Sequence, residues 1–343
     1  MSVTYANDIH TDGAGAQIQR ILGTIALACA LQAPYVHSPI IKLDYHGWDM
    51  YLKNESDAEL PQKWETFLGF PRTDGETVQS GKIRLWNNVS PDEMMELGRW
   101  VHEGGLARIV FPYPFLDILP QYLDLVRQKL HAWYDATPKP ALEKSSSFQV
   151  AIHVRRGELH LWESQRMLPN EYYLEIIREL KKHVPADAEF HVHSEGALST
   201  DNDSEEIVNA ELYSKYMTDK SKVVKKNRDH FEDFIREGCI LHINEDIFKT
   251  FHRCASADVF VMSKGSLSYV MGAYAKGVVL YQPFWHHPLP SWFIMPPWRS
   301  LGSLKLMLSD GPKVIRERII PNQQKWNQLE IACKVRMAQK ITS

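Results

Sequence analysis

Two adjacent arginines close an apolar run in the segment Ala151, Ile152, His153, Val154, Arg155, Arg156, Gly157 and Glu158. The run 148–154 has the length and composition of a buried strand, so the chain leaves a sheet at Arg155. A guanidinium at a strand's carboxyl end is well placed for an anion. It offers a planar fork of donors, binds phosphate through two parallel hydrogen bonds and does not titrate near neutrality. Gly157 lets the backbone turn there without a side-chain clash. A surface salt-bridge cluster with Glu158 and Glu163 is the competing reading.

Two other segments offer donors to an anion. Asp12, Gly13, Ala14, Gly15, Ala16 and Gln17 lead into Ile18, Ile21, Leu22, Ile25, Ala26 and Cys29, which carry helical spacing. A helix amino terminus offers unbonded N–H groups and the positive end of a dipole, and glycines let a ligand come close. Two glycines before a helix also make an ordinary turn. Ser263, Lys264, Gly265, Ser266, Leu267, Ser268 and Tyr269 lie between a strand pattern and a helix pattern. Their hydroxyls and amides suit an oxyanion, and a simple serine cap is compatible with that role.

Three further groups carry weaker signals. His191 and His193 share one face of a strand that ends in Ser194 and Glu195, but the sequence shows no third metal ligand near them. Asp201, Asn202 and Asp203 have the spacing of a cation-binding carboxylate pair. They sit in a polar stretch with no strand before it, which reads as solvated surface. Phe284, Trp285, His286, His287, Trp292 and Trp298 form an aromatic, proline-rich stretch suited either to stacking on a sugar or to packing.

The elements that must hold these residues alternate in the second half. Strand patterns cover 148–154, 190–193, 237–243, 258–262 and 278–282, and helix patterns cover 170–183, 246–256 and 266–276. Asn170 is positioned as an N-cap and Gly277 as a helix stop. Such alternation predicts a parallel sheet covered on both faces, with ligands beyond the strands' carboxyl ends. The stretch 201–230 is a polar excursion. The first half reads as irregular and aromatic, with short helices at 91–101 and 120–134. Pro138, Pro140 and the serines at 145–147 mark a linker. The expected domains are 1–144, binding an acceptor, 145–300, binding a donor, and a helical segment 301–343 packing back on the first.

With 343 residues, two domains are the natural expectation. A net charge of −3 carries no basic bias and speaks against nucleic acid as a partner. The longest apolar run, 21–33, is too short to span a bilayer, which takes about 20 residues, and no signal peptide is seen. Four scattered cysteines read as reduced, buried thiols, in keeping with a soluble cytoplasmic protein.

Taken in order, Gly-x-Gly-x-Gln at Gly13 to Gln17, His-x-Arg-Arg-Gly at His153 to Gly157, and Ser-x-x-Ser-x-Ser at Ser263 to Ser268 resemble the fucosyltransferases of the α1,2, α1,6 and protein-O type. His193, Ser194 and Glu195 resemble that family's strand-end segment. The resemblance covers about 12–32 and 148–282. It implies an α/β fold of two Rossmann-like domains facing a cleft, GT-B-like. It further implies an inverting glycosyltransferase that moves L-fucose from GDP-fucose to a glycan hydroxyl, with no metal and no cofactor.

By resemblance, Arg156 grips the donor β-phosphate and Arg155 holds the loop or helps bind it. His153 and Ser266 line the donor, and Asp246 reads the guanine. Gly13, Ala14, Gly15, Gln17, His193, Ser194, Ser263, Gly265 and Leu267 complete the expected donor set. The proton acceptor is open among Asp12, His46, Asp49 and His102. Glu158, Lys264, Gly265 and Glu195 depart from the family pattern. Two alternatives stand beside this reading: a same-fold transferase using GDP-mannose, GDP-arabinose or a UDP-sugar, and a non-catalytic glycan- or nucleotide-binding protein. Acceptor, linkage and oligomeric state are not legible in the sequence.

Overall fold

The computed structural model describes residues 3–7, 12–30, 32–43, 59–71, 83–87, 106–111, 120–143, 145–156, 167–195, 231–284 and 286–295, with a few isolated positions between them. The segments 201–230 and 301–343, together with His46, Asp49, Gly157, Glu158, Glu163, Trp285 and Trp298, lie outside the described residues. Most of the expected helix at 91–101 lies outside them too. The chain forms two compact units that meet in sequence at Pro138 and Lys139.

The first unit holds a four-stranded parallel sheet. Its strands β1 (Val3–Asn7), β2 (Tyr35–Val36), β3 (Ile83–Asn87) and β4 (Leu106–Phe111) lie in the order β2-β1-β4-β3. The irregular reading of this half is thereby corrected. The strands are short, far apart in sequence and interrupted by Thr4, Arg84 and Arg108, so they show no clean periodicity. Helix α1 (Ala14–Ala30) buries Ile18, Ile21, Leu22 and Ile25. Helix α2 (Leu60–Leu68) buries Trp64, Phe67 and Leu68. It ends at Gly69, whose φ of 68° suits glycine and whose N–H donates to the Glu65 carbonyl at 3.1 Å. Helix α3 (Pro120–Asp135) sets Tyr134 edge-on to Phe67, with ring centroids 5.3 Å apart.

The second unit is a doubly wound sheet. Its strands β5 (Gln149–His153), β6 (Glu189–Ser194), β7 (Ile240–Ile243), β8 (Val259–Val261), β9 (Val278–Tyr281) and β10 (Phe293–Ile294) lie in the order β10-β9-β8-β5-β6-β7, every pair parallel. From β5 the chain builds outward through β6 and β7, then returns to β8 and builds outward on the other side. This is the strand order of a Rossmann-type sheet, and its reversal lies between β5 and β8.

Both faces of this sheet are covered. Val150, Ile152, Phe190, Val192, Val259, Val261 and Leu280 form one core with Tyr173 and Ile177 of α4 (Asn170–Leu180) and Phe234 of α5 (Glu232–Arg236). On the other face, α6 (Ile247–Ser256) and α7 (Ser266–Tyr274) meet through Phe251 and Tyr274, ring centroids 5.6 Å apart. Three expected boundaries move. Pro169, not Asn170, caps α4, which leaves the Asn170 side chain for a tertiary contact. The stretch 237–239 is a turn through Gly238, with φ at 74°, before β7. Helix α7 ends at Tyr274, ahead of Gly277.

Gly277 is held by closeness rather than by its backbone angle. A Cβ there would lie 2.3 Å from the carbonyl oxygens of both Ala257 and Asp258. The Asp258 carbonyl is itself engaged: Val278 N donates to it at 2.9 Å. Gly277→Ala should therefore cost about 1–3 kcal/mol of unfolding free energy. Gly13→Ala, where nothing lies within 4 Å of the added atom, should change it by less than about 0.5 kcal/mol. Urea unfolding of the two variants checks the contrast, and equal losses would contradict it.

Candidate functional site

Parallel strands that diverge at a reversal leave a crevice beyond their carboxyl ends, where α/β sheets take ligands. Here the crevice is bordered by the chain after β5 and the chain after β8. The residues that converge on it are His153, Arg155, Ser263, Lys264, Gly265 and Ser266.

The two arginines separate as they leave β5. Arg155 crosses toward the β8 side and donates from Nη1 to the Lys264 carbonyl at 3.3 Å. A Cβ on residue 265 would lie 2.7 Å from that same nitrogen and 3.1 Å from Arg155 Cδ. Gly265 thus leaves room for the guanidinium, and its own φ of −177° is ordinary extended backbone. Arg156 turns the other way and is only 5 % exposed. Its Nη2 donates to Asn170 Oδ1 at 2.6 Å and its Nη1 to the Arg155 carbonyl at 3.0 Å. Asn170 in turn donates to Asp233 Oδ2 at 3.4 Å.

Around Arg155 the hydroxyls and imidazoles pair. Ser263 Oγ lies 3.0 Å from His153 Nδ1, and Ser266 Oγ lies 3.4 Å from His286 Nε2. Ser263 N–H donates to Ser268 Oγ at 2.9 Å, which fixes the loop against α7. Burial, with the Arg155 charge and His193 adding to it, pushes His153 down to about 3, so it faces the crevice as a neutral ring. Burial also lowers the Lys264 ammonium to about 8. In the aromatic stretch, Phe284, His286, Leu289 and Trp292 are buried, with Tyr269 and Trp292 rings 4.9 Å apart edge to face. Those four side chains pack inside the unit.

Other predicted residues have local duties. Asp12 Oδ1 accepts from Gly13 N–H at 2.8 Å, and its Oδ2 lies 3.4 Å from Arg20 Nη2. Gln17 donates to the carbonyls of Asp12 and Lys42, both at 2.7 Å, tying the start of α1 to the chain after β2. Ala14 and Gly15 open α1, and Leu267 lies in the first turn of α7. Asp246 is exposed and caps α6, accepting from Phe248 and Lys249 N–H at 3.0 and 2.9 Å. Ser194 Oγ donates to the Val154 carbonyl at 2.5 Å, joining the ends of β5 and β6. His102 is exposed in the first unit.

His193 lies beside His242 and Glu245, two residues that sequence reasoning missed. Burial pushes His191 and His193 down to about 4. The signal that joins them is register: His153 pairs with His193, and His193 with His242, across three adjacent strands. Nothing in the spacing of 153, 193 and 242 reveals this.

No protein family profile matches the chain, and no curated protein matches it. Among solved structures, the chain is similar to a crystal structure of POFUT1 in complex with GDP, at 11 % identity and a TM-score of 0.37, over 80 % of this chain and 95 % of that one.

His153 gives the site a pH signature. Its folded value of about 3 lies below its ordinary 6.5, so between those pH values the unfolded chain holds the extra proton. Stability from this residue is complete above about pH 6.5 and is lost as pH falls, with a limiting slope of about 1.4 kcal/mol per pH unit. His153→Gln should flatten the fall in urea-unfolding free energy between pH 6.5 and 4.5 relative to the parent. Parallel curves would contradict the assignment.

Proposed function

We propose that the chain is a glycosyltransferase that moves a sugar, L-fucose from GDP-fucose, onto a glycan hydroxyl with inversion. One observation carries the reading: the Arg155 guanidinium is seated on the 263–266 loop at the reversal of a parallel sheet. It is supported by the motif order shared with fucosyltransferases at Gly13 to Gln17, His153 to Gly157 and Ser263 to Ser268.

Transfer leaves a nucleoside diphosphate whose negative charge grows as the glycosidic bond breaks. Fixed donors aimed at that charge stabilise the transition state without reorganising. Arg155 and the amino terminus of α7, with the Ser266 hydroxyl, are the donors available at the crevice. Gly265 keeps the backbone low enough for Arg155 to lie across it. Neutral His153 and Ser263 hold the floor of the crevice by hydrogen bonding. Arg156 braces the chain after β5 through Asn170 and the Arg155 carbonyl, so this reading gives it the positioning role and Arg155 the anion, the reverse of the division that family resemblance implies. In this reading the departing charge is met by these groups with no cation. The acceptor hydroxyl must lose a proton to a base, for which Asp12 and His102 remain candidates within the described residues.

The test is transfer from GDP-fucose to a glycan array, read by mass spectrometry, with other GDP- and UDP-sugars as competing donors. Arg155→Lys keeps the charge but loses the fork. It should lower the rate constant by about 10²–10³, and Arg155→Ala by more, with unfolding unchanged. If folded Arg155→Ala transfers sugar within a few-fold of the parent, Arg155 is not the anion group.

Gly265→Ala separates function from fold. The added methyl meets the flexible end of a side chain, so melting should shift little while Arg155 is displaced. Thermal-shift titration with GDP should show weaker binding. Unchanged GDP affinity would show that the Arg155 placement does not matter.

A further inference from the structure

We propose that His193, His242 and Glu245 form a binding site for one divalent transition-metal ion of the class that favours imidazole and carboxylate, such as zinc. Each residue offers one ligand atom, and these atoms all lie within 4.8 Å of one another. Glu245 stands between the two rings: His193 Nδ1 is 3.5 Å from Oε2 and His242 Nδ1 is 3.4 Å from Oε1. Ligands about 2.1 Å from a tetrahedral zinc ion lie about 3.4 Å from one another, close to the distance from each histidine to its nearer Glu245 oxygen.

Two observations beyond the clustering point to an ion. The first is His193 itself. Its side chain is 0 % exposed, Nδ1 has Glu245 Oε2 at 3.5 Å as an ion-pair contact outside hydrogen-bond geometry, and Nε2 has no hydrogen-bond partner among the described residues. An imidazole in that state forfeits hydrogen bonds it had in water, and a bound ion would give one of its two nitrogens a partner.

The second is the shell behind the ligands: Glu189 Oε2 lies 3.4 Å from His191 Nε2, and His191 Nδ1 lies 2.9 Å from His242 Nε2, the ring nitrogen other than the one that faces Glu245. Carboxylate and histidine partners of this kind orient metal-bound imidazoles in known sites.

Two cations share the neighbourhood and have their own partners. Lys249 Nζ is 3.2 Å from Glu245 Oε1 but 2.8 Å from Glu143 Oε1, and Arg253 pairs with Glu143 Oε2. Glu245 Oε2, on the His193 side, is the oxygen turned toward the proposed ion. Three protein ligands leave a fourth position for water or another small ligand. The ion would tie β6, β7 and the start of α6 together, one strand away from the Arg155 crevice. No step of sugar transfer is routed through it, and although His193 belongs to the expected donor set, the proposal uses neither Arg155 nor the 263–266 loop, so either proposal can fail alone.

The experiment uses the full chain, stripped with chelator and then titrated with Zn²⁺ and Co²⁺. Calorimetry should give one equivalent of Zn²⁺ per chain. Co²⁺ should produce the visible absorption of a four-coordinate site, and either ion should raise the melting temperature. His242→Gln and Glu245→Gln should each weaken binding at least tenfold, and His191→Gln about tenfold through loss of orientation. His183→Gln, in the turn after α4 and away from the cluster, should leave binding unchanged and controls for binding by other histidines. Absence of a one-to-one Zn²⁺ complex in the parent overturns the proposal, as does a Co²⁺ spectrum of six-coordinate type only. Binding that survives both His242→Gln and Glu245→Gln overturns it equally. The parent's own titration decides the matter even if a variant fails to fold.

Discussion

The pairing of β5 with β8 is the constraint on which the second unit depends. Chain segments more than a hundred residues apart meet there, Val150 beside Val259 and Ile152 beside Val261, all fully buried. The entry to the seam is fixed by Asp258, whose Oδ2 accepts the Gln149 N–H at 2.8 Å. Its exit is bridged by Arg155 on the Lys264 carbonyl. Because the sheet grows away from this seam on both sides, the loops after β5 and β8 part with no helix between them. The crevice is thus a consequence of strand order, and the motif residues occupy it because they directly follow the two strands.

The two faces of this sheet solve burial differently. On the α4 side, the strands present an almost wholly apolar surface. On the α6 side, β6 and β7 carry Glu189, His191, His193 and His242, covered by a helix bearing Lys249 and Arg253. Burying so many polar groups is costly unless each finds a partner. Most do: Glu245, Glu143, Lys249 and Arg253 interlock. Among the described residues of this cluster, the His193 ring and the Arg253 Nε are where the pairing remains incomplete, which makes this polar interior the chemically unsettled part of the unit.

In the first unit, the glycine-flanked start of α1 is held by its own neighbours. Gln17 spends its amide on two backbone carbonyls, and Asp12 caps Gly13 and faces Arg20. Nearby, Asn7 at the end of β1 donates to the Ser38 carbonyl at 2.7 Å and accepts from Tyr35. These bonds pin the carboxyl end of β1 and the turn into α1 as one piece. The motif's polar atoms secure the local backbone, and a ligand there would meet a pre-set surface.

The alternating second half was legible in the sequence because its strands are continuous apolar runs and its helices carry clear spacing, properties set by neighbours along the chain. The Arg155 and Ser263 motifs were legible for the same reason: each directly follows a strand. Strand order was not, because it depends on which buried edges pair, and so the sequence could not place 263–266 beside 155. Nor could it give the partners of two adjacent arginines: Arg156 bonds to Asn170, and Arg155 lies where a side chain at residue 265 would meet it. The first sheet was hidden because its short strands pair with segments far away in sequence. The cluster of His193, His242 and Glu245 was hidden by register, since cross-strand neighbours are chosen by hydrogen bonding between strands, a choice only the folded sheet makes.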